Sequence, residues 1–219
     1  MSDGNLKQYY AERAAEYERV YDKPERHKDR ESLRETLRGL LHGRNVLEIA
    51  CGTGYWTHPV SQSAKSIVAT DVNEEVLQIA RQKSYESGRV SFQIADAFEL
   101  NDVTGPFDAG FAMFWWSHIS RPKIPAFLSA FHGKLAPGAI VIFADNIYVE
   151  GSNNPMSEKV DAEGNTYSRR KLENGKEFEI LKNFPTDAEL RSIVSAAADR
   201  IEIRRLTYYW CLSYRFLNS

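Results

Sequence analysis

Two cysteines in 219 residues are too few for a disulfide framework, and one of them, Cys51, is wedged between an apolar run and two glycines. No apolar stretch reaches the roughly 18 residues of a membrane-spanning helix, and the amino-terminal region lacks the pattern of a secretory signal. The expectation is a cytoplasmic protein with no membrane partner. Charge of one sign is also missing: 28 basic residues stand against 30 acidic ones, a poor composition for neutralising many phosphates. Nucleic acid is therefore not an expected partner, and the clusters Arg169-Arg170-Lys171 and Arg204-Arg205 read as solvated faces. The five histidines are scattered without paired ligand spacing, so no metal site is expected. Internal repeats and low-complexity tracts are absent. A chain of this length can bury one substantial core, and a single domain over 1–219 is expected, as a monomer or homodimer.

What is present concentrates in residues 45–57, Asn-Val-Leu-Glu-Ile-Ala-Cys-Gly-Thr-Gly-Tyr-Trp-Thr. An apolar run carrying Glu48 ends in Cys51-Gly52-Thr53-Gly54, the pattern of a buried strand breaking into a loop whose glycines let a ligand approach the backbone. A second run, 66–71, ends in Asp71, roughly twenty residues beyond the loop, where a strand-end carboxylate can grip two adjacent ribose hydroxyls or act as a loop cap. Asn73 is then an N-cap for a helix bearing Val76, Leu77 and Ala80. A third strand, 90–95, leads into Asp96-Ala97-Phe98. A fourth, 107–116, contains Met113, Phe114, Trp115 and Trp116 and leads into Ser117-His118; a fifth, 139–144, follows the turn Leu135-Ala136-Pro137-Gly138 and ends in Asp145-Asn146. Strands alternating with helical patterns predict a parallel sheet covered on both faces.

The segment E-x-A-C-G-T-G resembles motif I of the class I S-adenosylmethionine (SAM)-dependent methyltransferases, and the later motifs follow in that family's order. The likeness covers 45–146 strongly and the flanks loosely, and it points to the small-molecule, ubiquinone/menaquinone-biosynthesis-like branch. A dinucleotide fingerprint would need a third glycine where Thr57 stands. The resemblance implies a Rossmann-like doubly wound sheet, mostly parallel with a C-terminal antiparallel strand. N-terminal cap helices (1–42) would precede the core (43–146), a β-hairpin insertion (147–184) would follow the fifth strand, and a closing helix and hairpin (185–219) would end the chain. It implies SAM as cofactor and S-adenosylhomocysteine (SAH) as product. The cofactor residues would be Glu48, Ala50, Gly52, Gly54, Tyr55, Trp56, Asp71, Val72, Asp96, Ala97, Phe98 and Met113, with the acid of Asp96-Ala97 on the adenine amine.

The flanking segments carry the acceptor-side expectations. Tyr10, Arg13, Ala14, Tyr17 and Tyr21 share a helix face, either for packing or as a lid over the cofactor. Trp115 and Trp116 offer an aromatic wall or ordinary core, and Asp145 and Asn146 sit at a strand end. His118 is the candidate catalytic residue, as general base or as a structural histidine bonded to a carbonyl. Asn174-Gly175 between two strand-like runs predicts a hairpin, and Thr186-x-x-Glu189 a capping box for the helix that follows. The predicted reaction moves a methyl group to an oxygen or nitrogen of a small-molecule acceptor. A macromolecular acceptor, or a non-catalytic SAM-binding module, are the alternatives.

Overall fold

The computed structural model describes residues 2–13, 18, 21–172 and 174–217. Strand β1 (Asn45–Ile49) lies mid-sheet because its side chains are buried on both faces, as a parallel strand between two helical layers requires. Val46 faces Leu33 and Leu37 of helix α2 (His27–Leu40), whereas Leu47 and Ile49 face the opposite layer. Strands β2 (Ser66–Asp71) and β4 (Phe107–Met113) flank β1 in parallel. With β3 (Val90–Ile94), β5 (Leu135–Asn146), β9 (Ala198–Arg205) and β10 (Tyr209–Phe216) they form a seven-stranded sheet in the order β3-β2-β1-β4-β5-β10-β9. Only β10 runs antiparallel to its neighbours. Because the chain leaves β1 to one side for β2 and returns on the other as β4, a crevice opens at the carboxyl ends of β1 and β4.

Helices α3 (Thr57–Ser61), α4 (Glu74–Arg81), α5 (Ile124–His132) and α6 (Asp187–Val194) cover the sheet. The capping box of α6 forms as expected: Glu189 N–H donates to Thr186 Oγ1 at 3.2 Å, and Thr186 N–H donates to Glu189 at 2.7 Å. Asn73 does occupy the N-cap of α4, but its side chain makes no cap bond; its amide instead donates to Lys7 O at 3.3 Å. Strand β5 starts at Leu135, not at Ala139, since Leu135 already pairs with Phe107. The last strand runs on to Phe216 because β5 offers it a full antiparallel edge.

Beyond β5 the expected hairpin forms between β7 (Thr166–Lys171) and β8 (Glu177–Leu181), and β6 (Met156–Val160) adds a third strand. This small sheet does not stand free. Helix α1 (Ser2–Arg13) lays Tyr9 edge-on against Phe178, with ring centroids 5.3 Å apart, among Leu172 and Ile180. Cap helix and insertion thus share a small apolar core above the crevice.

Gly110 of β4 shows how tightly the main core closes. A Cβ there would sit 2.5 Å from the Phe131 ring of α5. Gly110→Ala should therefore lower stability by about 1–3 kcal/mol through overpacking. Thermal unfolding followed by circular dichroism reads this, and an unchanged midpoint would show that Phe131 can yield.

Candidate active site

The crevice is organised by the loop that follows β1. Ala50 has φ +53°, Gly52 +56° and Gly54 +75°, so the chain turns through left-handed conformations immediately after the strand. Asp71, at the end of β2, fixes the turn: its Oδ2 accepts from Gly52 N at 2.9 Å and its Oδ1 from Asn73 N at 3.0 Å. Burial pushes the Asp71 carboxyl up, and the N–H groups of Asn73 and Gly52 oppose that push. Each oxygen keeps a further lone pair for a ligand hydroxyl. Gly54 has a different reason to be glycine: a Cβ would lie 2.7 Å from the Tyr85 hydroxyl and 3.1 Å from Ala80 Cβ. It packs closely against Ala80 of α4.

A cavity of about 340 Å³ opens over this turn. Ala50, Gly52, Asp71, Val72, Asp96, Ala97, Phe98 and Met113 line it, eight of the twelve residues expected around the cofactor. Asp96 accepts from Phe98 N at 2.8 Å, which folds the loop after β3 back across the pocket. The other four stand behind the wall. Glu48 and Trp56 are buried in the sheet–helix layer, Gly54 packs on α4, and Tyr55 stacks on Tyr21 at 3.6 Å. Sequence reasoning missed Leu6, Lys7, Asn73 and Val76 in the lining. Leu6 and Lys7 lie one helical turn before Tyr10, a spacing that would have found them.

A second cavity of about 80 Å³ adjoins the first, and Tyr10, Phe114 and His118 line both. Phe114 has φ +60°, a conformation bulky residues rarely hold, and its N–H bonds Ala144 O at 2.7 Å. Arg13 and Asn146 line the second cavity and Trp115 the first. Tyr17 falls outside the described residues. Two expectations require correction. Trp116 is core, enclosed by Phe143 at 5.1 Å and Trp210 at 6.0 Å, because the chain tightens into a 3-10 turn at 116–118 that swings it inward. Asp145 is fully buried beneath the floor, accepting from Ser117 N at 2.9 Å and from Lys182 Nζ at 3.0 Å. The solvated reading of 169–171 also fails in part: β7 alternates, so Arg169 and Lys171 are exposed while Arg170 turns into the second cavity.

His118 is buried at the junction. Its Nδ1 lies 2.8 Å from Leu181 O, which can only accept, so Nδ1 carries the proton. Nε2 is then the acceptor for the Tyr10 hydroxyl at 2.9 Å. Burial, reinforced by the Lys182 ammonium, pushes the imidazole down to about 3. His118 is therefore neutral and only weakly basic.

Comparisons with known proteins agree with this geometry. A family profile described as a methyltransferase domain matches residues 46–138. The ubiquinone biosynthesis O-methyltransferase of Bordetella avium (strain 197N) is 30% identical over 112 residues, 50% of this chain and 46% of that one. The Hahella chejuensis (strain KCTC 2396) protein of the same description is 28% identical over 174 residues, 78% of this chain and 69% of that one. The chain thus spans about half the length of several curated relatives it matches. A solved DhpI–SAM–HEP complex superimposes with a TM-score of 0.78 at 28% identity, covering 98% of this chain and 99% of that one. The chain is thus similar, in sequence over part of its length and in fold over nearly all of it, to SAM-dependent methyltransferases.

The residues of the first cavity fit SAM. Asn73 Oδ1 and Trp115 Nε1 are buried, lack hydrogen-bond partners among the described residues and belong to the first cavity's lining, beside the spare lone pairs of Asp71. That supplies donor and acceptor capacity for a ligand rich in both.

Glu48, behind the loop, has an Oε2 without a partner among the described residues. Burial, with the Asp71 charge adding to it, raises its carboxyl to about 8. A carboxyl raised in the folded state favours folding while protonated, and that contribution is lost as pH rises from its ordinary value of about 4.3 through 8. Denaturant unfolding at pH 5 and pH 8 should show Glu48→Gln gaining stability relative to the parent at the higher pH. A difference that does not change with pH would mean that Glu48 is ionised throughout.

Proposed function

We propose that this protein is a class I SAM-dependent methyltransferase that transfers a methyl group from SAM to an oxygen or nitrogen atom of a small-molecule acceptor held in the second cavity. The observation that carries this reading is the shared wall: the cofactor-sized cavity and the smaller one meet at Tyr10, Phe114 and His118. When bound, SAM supplies an electrophilic methyl group on a sulfonium, which is an excellent leaving group. Asp71 would take the ribose hydroxyls, Asp96 and the backbone at Phe98 the adenine edge, and the turn at Ala50 and Gly52 the methionine portion. The O-methyltransferase descriptions of the relatives favour oxygen over nitrogen. That DhpI is in complex with both SAM and HEP supports binding of the cofactor together with a second ligand.

In this reading the cap at 1–42 and the insertion at 147–184 wall the acceptor side, and their main contributions are alignment and dryness. Orientation of reacting groups supplies roughly 7–11 kcal/mol in favourable cases. Exclusion of water protects a methyl donor that hydrolysis would waste. His118 acts here by holding the Tyr10 hydroxyl. With its proton directed at Nε2, the Tyr10 oxygen presents lone pairs to an acceptor hydroxyl or amine.

Metabolite extracts incubated with methyl-labelled SAM test the activity, with mass spectrometry following the label. Label on a small molecule is expected; label on protein or RNA, or no SAH formed, would contradict it. With the acceptor in hand, His118→Gln should lower kcat with little change in SAH affinity, and parent and variant pH profiles should share their shape around pH 6.5. A limb near about 6.5 that vanishes in the variant would restore His118 as a titrating base.

A further inference from the structure

The second cavity is strongly one-sided in charge. Arg13, Lys23, Arg26, Arg170 and Lys182 line it, and no Asp or Glu does. These cations converge from α1, from the segment before α2, from β7 and from the residue after β8, so they are not the solvated face of one element. Arg26 is 3% exposed, yet its guanidinium is held by neutral oxygens: Asn146 Oδ1 at 3.0 Å, Ser152 Oγ at 2.8 Å and Ser152 O at 2.9 Å. Lys23 donates to the same Ser152 carbonyl. The Arg170 guanidinium makes no hydrogen bond or ion pair among the described residues, although only part of it reaches solvent. Among the described residues, two carboxylates lie nearby. Asp145, under the floor, is committed to Lys182, and Glu25, on the exposed rim, accepts from Ser152 Oγ at 3.2 Å.

Among the described residues neither Arg26 nor Arg170 has a carboxylate partner, an uncompensated arrangement for guanidinium groups with so little exposure. Desolvating a cation is costly unless a counter-charge returns the lost energy. The crowding is visible in the groups themselves. Burial pushes Lys23, Arg170 and Lys182 all down, and neighbouring cations push the same way: Arg26 on Lys23, Arg13 on Arg170, Arg170 on Lys182. The small volume suits a compact head group, and two guanidinium forks are matched to paired oxyanion oxygens.

We propose that the methyl acceptor carries a compact organic oxyanion, seated between Arg170 and the Arg26–Lys23 pair, which anchors it so that its reacting atom reaches Tyr10 and His118. Phosphate, phosphonate, sulfate and carboxylate groups share this chemistry. The inference rests on the first cavity being the cofactor site, since only then does the anchored molecule lie beside the methyl group.

Calorimetric titration of inorganic phosphate into the SAH-saturated protein tests the proposal, with sulfate and acetate as further arms to rank oxyanion shapes. Saturable binding is expected, weakening with salt. Arg170→Gln should weaken it about tenfold or more while leaving SAH affinity unchanged. Lys23→Gln, nearer the rim, should weaken it similarly and keeps the test readable if Arg170→Gln does not fold. Failure of all three anions to bind, or binding indifferent to both substitutions, would overturn the proposal. Absence of SAH binding to the parent protein would instead overturn the cofactor reading, and phosphate titrated into the ligand-free protein would still report on the cationic cavity.

Discussion

The two hydrogen bonds from Asp71 to Gly52 N and Asn73 N are what the rest of the site depends on. They tie the left-handed turn after β1 to the end of β2 and leave the remaining lone pairs of the same carboxylate facing the cavity. The clamp works because the sheet supplies its geometry. β1 and β2 are in register from Asn45–Ser66 to Ile49–Thr70, and Cys51 N–H continues the ladder to Thr70 O at 2.9 Å. A carboxylate one residue beyond the ladder is thereby aimed across the loop. Its burial cost is met by backbone donors that would otherwise be unsatisfied at a strand end.

The second half of the site follows from charge placement. Lys182 pairs with Asp145 beneath the floor, and among the described residues no Asp or Glu lines the second cavity beside its cations. The same ammonium helps hold His118 neutral. A neutral imidazole fixed by Leu181 O is a rigid acceptor for Tyr10, and Tyr10 belongs to the helix that the insertion packs against. The walls of the two cavities and the cap helix thus meet through a few hydrogen bonds at one junction.

The lining of the first cavity was legible in the sequence because local signals carry it. A strand that breaks at Gly52, an acid one strand later at Asp71 and another at Asp96 each announce themselves by period and spacing, and each lines the cavity. The lining of the second cavity was not, because it is built by long-range convergence. Lys23, Arg26, Arg170 and Lys182 are separated by up to 159 positions, and nothing local distinguishes Arg170 from its solvated neighbours Arg169 and Lys171 except the strand's alternation. Trp116 and Asp145 misled for a related reason. Their strand-end positions suggested the crevice, but a 3-10 turn and a buried lysine drew them inward. Glycine at 54 likewise looked ligand-directed, while only the packed structure puts Tyr85 where its Cβ would be.

The clamp is tested most directly by calorimetric titration of SAH into Asp71→Ala, with circular dichroism verifying that the variant is folded. Losing charge-assisted hydrogen bonds worth about 1.5–3 kcal/mol should weaken binding by about 10- to 100-fold. SAH bound by the folded variant as tightly as by the parent would contradict the account, because the ribose contact and the anchored glycine loop would then both be dispensable.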